Sequence, residues 1–334
     1  VVAAAALLGG CALLHEGPHL PALPNTVRFD ENSFAHKPLA TERMATPRPG
    51  ERPSESVLGT VRRWRIRQGD TFLDIARWFD LGYNEMVDAN PGIDPIVPPV
   101  GTEVLVPTAW VLPCCTYRGI VVNIPEMRLY YFRPDPANPG TTLVDTYPVG
   151  LGREDRRTPR GTFRVVRKDV DPAWYVPESI RQEHMRERGD ARRMIPGGDP
   201  DNPLGRYRLK LTNELYGIHG TDIPWGIGME VTHGCVRLYP EDIAHLFPLV
   251  PVGTPVEFVY QPVKVGVRAG AVYVEVHRDI YHAGRSLGAA TRTALARGRF
   301  GDRIEPRLVE GAVQRAAGVP VRVSPERAPS RSAG

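Results

Sequence analysis

"GIVVNIPEMRLYYF" (residues 119–132) sets two apolar runs on either side of Pro125-Glu126. Branched and aromatic residues dominate both runs, and the break between them is short. That is the pattern of strand, tight turn and strand, so it predicts a β-hairpin. The texture continues outward. "TTLVDTYPVGLG" (141–152) reads as a strand ending at glycines, and "TPRGTFRVVRK" (158–168) as a Pro-Gly turn before alternating Phe163 and Val165. "DPDNPLGRYRLKL" (199–211) is a turn running into a strand, and "GTPVEFVY" (253–260) returns to strand. Two helices interrupt the series. "PESIRQEHMRER" (177–188) starts at Pro177; "YPEDIAHLFPLV" (239–250) has Pro240, Glu241 and Asp242 in its first turn and Pro248 at its end. The fold class is therefore mainly β, with short helices.

A chain of 334 residues allows two or three domains. Its 33 glycines and 34 prolines fit many turns and short strands. The net charge of +4 is mildly basic. No nucleic-acid recognition motif accompanies it, and a polyanionic surface such as a cell wall suits the charge as well. Residues 153–168 hold seven basic side chains against two acids, the composition of a solvated strand face or of contacts to acidic substrate groups.

Upstream, "RWRIRQGDTFLDIARWFDLGYNEMVDANPGI" (63–93) opens with a strand and a Gly69-Asp70 turn. Thr71 caps a short helix, a second helix runs from Tyr83 to Ala89, and "GTEVLVP" (101–107) closes with a strand. The order is β-α-α-β. "GDT", "ANPGI" and "GTEVLVP" together resemble a LysM module, which implies binding to N-acetylglucosamine-containing glycans such as peptidoglycan. The Pro-rich "DPIVPPVGT" (94–102) departs from that pattern.

At the N-terminus, "VVAAAALLGGCALL" (1–14) is an apolar run too short to span a bilayer. It reads as part of a secretory signal. Leu8-Gly9-Gly10-Cys11 resembles a bacterial lipobox, which implies lipid attachment at Cys11, an outer-membrane anchor and a periplasmic location. Residues 12–62 are polar and Pro-rich without a sustained period, as expected of a tether. Residues 262–320 form an extension with a hairpin at "VKVGVRAGAVYVEVH" (263–277) and an Ala-rich helix near 286–298; residues 321–334 are expected to be a disordered tail. Export also exposes Cys114, Cys115 and Cys235 to oxidising conditions, where pairing with Cys235 would be a redox switch.

The chemistry concentrates in "YGIHGT" (216–221) and "VTHGCVRL" (231–238). His219 lies 16 residues before Cys235, across a Gly- and Pro-rich loop. Three readings stand for Cys235. It is a buried small hydrophobe, a zinc ligand with His219, His233 and Asp222, or a nucleophile activated by a histidine. Arg237 adds a bidentate grip for a substrate carboxylate.

"IHGT", a Gly-rich loop and "THGCVRLYPEDI" (232–243) resemble the catalytic segment of YkuD-type L,D-transpeptidases. The resemblance extends over about 117–261, and with the LysM-like unit it points to the ErfK/YbiS group of envelope enzymes. Thr232 stands where that family usually has serine. The resemblance implies a mixed-β sandwich or barrel. Cys235 would be the nucleophile, His219 the base and acid, and the Gly220 carbonyl the group orienting His219. Thr232, His233, Gly234 and Arg237 would form the substrate-binding loop, with no metal or cofactor. The expected activity is attack on a peptidoglycan tetrapeptide stem through a Cys235 thioester. Transfer to a second stem would give 3-3 cross-links, transfer to a lysine would anchor a lipoprotein, and transfer to water would make an L,D-carboxypeptidase. Inhibition by carbapenems is expected of that thiol. The rivals are a non-catalytic peptidoglycan-binding protein and another type of thiol hydrolase.

Overall fold

A computed structural model describes residues 31–37, 39–284 and 286–325. The expected signal with Cys11, residues 12–30 of the expected tether and residues 326–334 of the expected tail lie outside the described residues.

The chain enters through α1 (Glu31–Ala35), β1 (Thr41–Ala45) and β2 (Val57–Gly59). Next come β3 (Arg62–Arg65), α2 (Phe72–Trp78), α3 (Tyr83–Ala89) and β4 (Glu103–Val106), with β3 and β4 antiparallel neighbours. This is the β-α-α-β order expected. Thr71 caps α2 by accepting from the Asp74 N–H at 3.1 Å, and Glu85 reaches back to the Gly82 N–H at 2.8 Å to start α3. Asn90 ends α3 and accepts from the Leu105 N–H at 2.7 Å, tying the helix to β4. β5 (Ala109–Val111) pairs with β2.

The middle of the chain supplies β6 (Gly119–Asn123), β7 (Arg128–Pro134), β8 (Thr141–Pro148), β9 (Leu151–Gly152) and β10 (Gly161–Val170). β11 (Trp174–Tyr175), α4 (Glu178–Arg188) and β12 (Met194–Ile195) form an insertion before β13 (Tyr207–Leu211) and β14 (Gly217–His219). β15 (Glu230–Thr232), β16 (Val236–Arg237), α5 (Pro240–Leu249) and β17 (Pro255–Val259) complete it. One nine-stranded mixed sheet runs β1-β8-β7-β6-β17-β10-β13-β14-β16. Its β17–β6 and β14–β16 pairs are parallel.

The apolar runs at 119–132 lack strict alternation because both faces of the sheet are covered. Ile120, Val122, Leu129 and Tyr131 face a core shared with Ile218, Val236 and Ile243. Val121, Tyr130 and Phe132 face the opposite core, shared with Phe72, Ile75 and Met86 of the β-α-α-β unit. That unit is joined to the sheet by a buried pair. Arg128 Nη2 lies 2.7 Å from Glu85 Oε2, and the guanidinium stacks 4.2 Å from the centre of the Trp110 ring.

The expected tether is overturned for residues 31–62. β1 adds to the sheet edge beside β8, and Met44 is buried in the second core. The Lys37 ammonium is buried between Asp242 at 2.7 Å and Asp80 at 3.0 Å. Edge pairing and a cation sunk among distant acids leave no local periodicity, so composition alone read as linker.

The C-terminal extension builds β18 (Val263–Arg268), β19 (Ala271–Val276), α6 (Leu287–Arg297), α7 (Pro306–Arg315) and β20 (Val321–Arg322) around its own core. β20 pairs with β19 and Val323 is fully buried, so residues 321–323 belong to this unit and not to a tail. α5 continues one residue past Pro248, and Pro177 is the cap of α4 rather than its first residue. Among the described residues no helix is long and apolar enough to cross a membrane.

Candidate active site

Side chains alternate between the two faces of a strand. Leu209, Ile218 and Val236 point into the core and are fully buried. Their neighbours therefore point to the opposite face. The register pairs Arg208 with His219 and Lys210 with Gly217 across β13–β14. It pairs His219 with Arg237 across β14–β16. Arg208, His219 and Arg237 thus form one transverse rung, with the histidine bracketed by two guanidinium groups. Cys235 immediately precedes β16, and its thiol feels Arg208, Arg237 and the Gly217 N–H, which places it beside this rung.

His219 is buried, and its Nδ1 lies 2.8 Å from the carbonyl oxygen of Gly220. A carbonyl only accepts, so Nδ1 carries the proton and Nε2 is left with a free lone pair. Burial first, then the charge of Arg237 and, more weakly, that of Arg208, hold the imidazole down to about 3, against the pull of the Gly220 bond. The ring is neutral at pH 7. Burial pushes the Cys235 thiol up, partly offset by the Gly217 N–H and by Arg208 and Arg237. Its Sγ is partly exposed and sits 3.8 Å from the Leu215 carbonyl oxygen. No hydrogen bond joins Cys235 to His219 among the described residues. Hydrogen bonds between catalytic groups often tighten only with substrate bound.

The loop before Cys235 is held from within. The Thr232 hydroxyl donates to the Cys235 carbonyl oxygen at 2.7 Å and accepts from the Gly234 N–H at 3.1 Å. Thr232 is only 1% exposed and spends its hydroxyl within the loop. Gly234 has φ +107°, and a β-carbon there would lie 2.7 Å from the Tyr216 ring. Thr158 Oγ1 donates to the Gly234 carbonyl at 3.1 Å, and Tyr281 of the C-terminal extension accepts from the Thr158 N–H at 3.2 Å.

His233 is likewise committed to the protein. Its Nε2 lies 2.9 Å from Glu183 Oε2 on α4, and Arg153 joins the same carboxylate at 3.1 Å. The His233 hydrogen bond, with Arg153, holds the Glu183 carboxyl down at about 2. The insertion is thereby latched to the loop that carries the thiol. Arg237 feels the charge of Asp222, whose Oδ1 is buried without a hydrogen-bond partner. With His219 Nδ1 bound to Gly220 and His233 turned to Glu183, the zinc reading with Cys235 and Asp222 has no convergent ligand set. Among the described residues, Glu126, Glu275 and His277 form the one such group within 4.8 Å. Lys264 Nζ already lies among them, 2.6 Å from Glu126 and 2.8 Å from Glu275. Cys114, Cys115 and Cys235 are all free thiols.

Sequence reading missed Arg208 and Lys210. The alternation in "YRLKL" marks a half-buried strand, but only the β13–β14 register shows which partner each cation meets.

Residues 117–258 match the YkuD family, described as the L,D-transpeptidase catalytic domain. Over 298 residues the chain is 34% identical to probable L,D-transpeptidase ErfK/SrfK of Escherichia coli (strain K12), covering 87% of this chain and 93% of that protein. It is 36% identical over 254 residues to probable L,D-transpeptidase YbiS of the same organism, covering 74% and 81%. The crystal structure of L,D-transpeptidase 3 from Mycobacterium tuberculosis aligns with 43% of this chain and 61% of its own, at 22% identity and TM-score 0.29.

Proposed function

The chain belongs to the YkuD family of L,D-transpeptidases, and from that membership we propose how its residues carry out the transfer. Cys235 Sγ attacks the carbonyl of the third residue of a peptidoglycan tetrapeptide stem, at the bond from the L-centre of diaminopimelate to D-Ala. The thiol proton passes to His219 Nε2 as the S–C bond forms. The C–N bond then breaks, His219 returns the proton to the departing amine, and a thioester remains. An acceptor amine attacks the thioester, loses its proton to His219, and the C–S bond breaks. The thiol is regenerated.

The observation that carries this reading is the tautomer of His219. The Gly220 carbonyl leaves Nε2 as the proton acceptor, on a rung whose two arginines also act on the Cys235 thiol. Arg237, with no carboxylate within 4 Å among the described residues, is suited to a stem carboxylate.

The acceptor is assigned as a second stem, giving 3-3 cross-links, with a lipoprotein lysine as the alternative amine. The β-α-α-β unit is assigned as a LysM module gripping glycan, and Cys11 as the lipid anchor holding the protein in the periplasm at the outer membrane. Incubation with disaccharide-tetrapeptide, with products read by mass spectrometry, tests the transfer. A cross-linked dimer and free D-Ala, both abolished by Cys235→Ala, support it. Disaccharide-tripeptide alone points to an L,D-carboxypeptidase. Retention of peptidoglycan with no turnover points to a non-catalytic wall-binding protein.

A further inference from the structure

The rung that brackets His219 holds more positive charge than proton transfer needs. Arg208 stands opposite His219, and the neighbouring position, Gly217, has no side chain. The guanidinium leans into that gap: a β-carbon on Gly217 would lie 3.3 Å from Arg208 Nε and 3.9 Å from Arg208 Nη2. Arg208 Nε is buried and has no hydrogen-bond partner, and no carboxylate lies within 4 Å of the side chain among the described residues. A buried guanidinium donor beside a thiol, unmatched by protein, is costly unless an anion meets it.

We propose that Arg208 is the receptor for the terminal carboxylate of the residue that leaves, and so selects stems that end at that residue. This rests on the transferase reading above. His219 protonates the departing amine, and the leaving residue carries its carboxylate one carbon from that nitrogen. Arg208 flanks His219 on the β13 side, away from the strand that leads from Cys235 to Arg237, and that flank is the leaving-group side. Arg237, on the other flank, is left for the carboxylate of the retained part. Arg208 is a specificity residue. A stem extended by one more residue offers an amide where the carboxylate belongs, and leaves the guanidinium unpaired.

The test compares disaccharide-tetrapeptide ending in D-alanine with the same compound ending in D-alaninamide. Wild type is expected to favour the acid by about 10- to 100-fold in kcat/KM, the range of one charge-assisted hydrogen bond, expressed chiefly in KM. Arg208→Gln is expected to erase the preference, and Arg208→Lys to restore part of it. Lys210→Gln removes a neighbouring charge on the same face and is expected to keep the preference. Equal use of acid and amide by wild type overturns the assignment, as does a preference that survives Arg208→Gln or is lost equally with Lys210→Gln. In those cases the transferase reading stands. If wild type releases neither D-alanine nor D-alaninamide, the transferase reading fails and this assignment fails with it.

Discussion

His219 Nδ1 lies 2.8 Å from the carbonyl oxygen of Gly220, the very next residue in the chain. A backbone carbonyl takes the place that a carboxylate occupies in a Ser-His-Asp triad. The difference matters electrostatically. A carboxylate would stabilise an imidazolium, whereas a neutral carbonyl in a buried site flanked by Arg208 and Arg237 does not. The resting pair is therefore neutral thiol and neutral imidazole, not a thiolate–imidazolium ion pair.

Alkylation of Cys235 by iodoacetamide reports this directly, because only the thiolate reacts. With the thiol raised by burial, the rate is expected to climb in a single step centred above the ordinary cysteine value of about 8.5. A second plateau at pH 5–6, lost in His219→Gln, would indicate a preformed ion pair instead.

Stability in acid follows from the same histidine. Its folded value of about 3 lies below the ordinary value of 6.5, so between those limits the unfolded chain takes up a proton that the folded chain refuses. The contribution is complete above pH 6.5 and is lost as pH falls toward 3. Between pH 7.5 and 5 it amounts to about 2 kcal/mol. Urea unfolding at the two pH values is expected to show that much less acid sensitivity in His219→Gln than in wild type. Equal sensitivity would mean that the ring is protonated in the folded protein.

Thr232 bridges the Cys235 carbonyl and the Gly234 N–H through one hydroxyl. Thr232→Ser keeps that hydroxyl and is expected to retain most activity. Thr232→Val leaves a buried N–H without an acceptor and is expected to lower kcat/KM by about 10- to 100-fold. A Val variant as active as the Ser variant would show that the loop does not depend on this bridge.

The β-α-α-β unit is tied to the sheet by Glu85, which holds Arg128 at 2.7 Å and accepts from Trp110 Nε1 at 2.9 Å. Glu85→Ala strands a fully buried guanidinium and is expected to cost about 3–5 kcal/mol in urea unfolding. Adding Arg128→Met is expected to recover part of that loss. Additive losses in the double variant would mean that the two residues act independently.

Much of this was legible in the sequence because it is written locally. The hairpin at 119–132 follows from two apolar runs around a turn. The cap at Thr71 and the helix 83–89 follow from short-range hydrogen bonding. Cys235 and His219 stand out by their residue types and spacing. What escaped is written in register and long-range pairing. Residues 41–45 become a strand only because β8 offers an edge. Lys37 is buried only because Asp80 and Asp242 meet it from far along the chain. Arg208 joins the site through a rung that no local pattern reveals, and the His233–Glu183 latch needs α4 to meet the loop that carries Cys235.

Intact-mass spectrometry of the reduced protein, mixed briefly with disaccharide-tetrapeptide, tests the central claim most directly. A covalent adduct of the disaccharide-tripeptide acyl group is expected, mapped to Cys235, with one D-Ala released per adduct and neither seen with Cys235→Ala. D-Ala release without an adduct, or release that persists in Cys235→Ala, would contradict a Cys235 thioester.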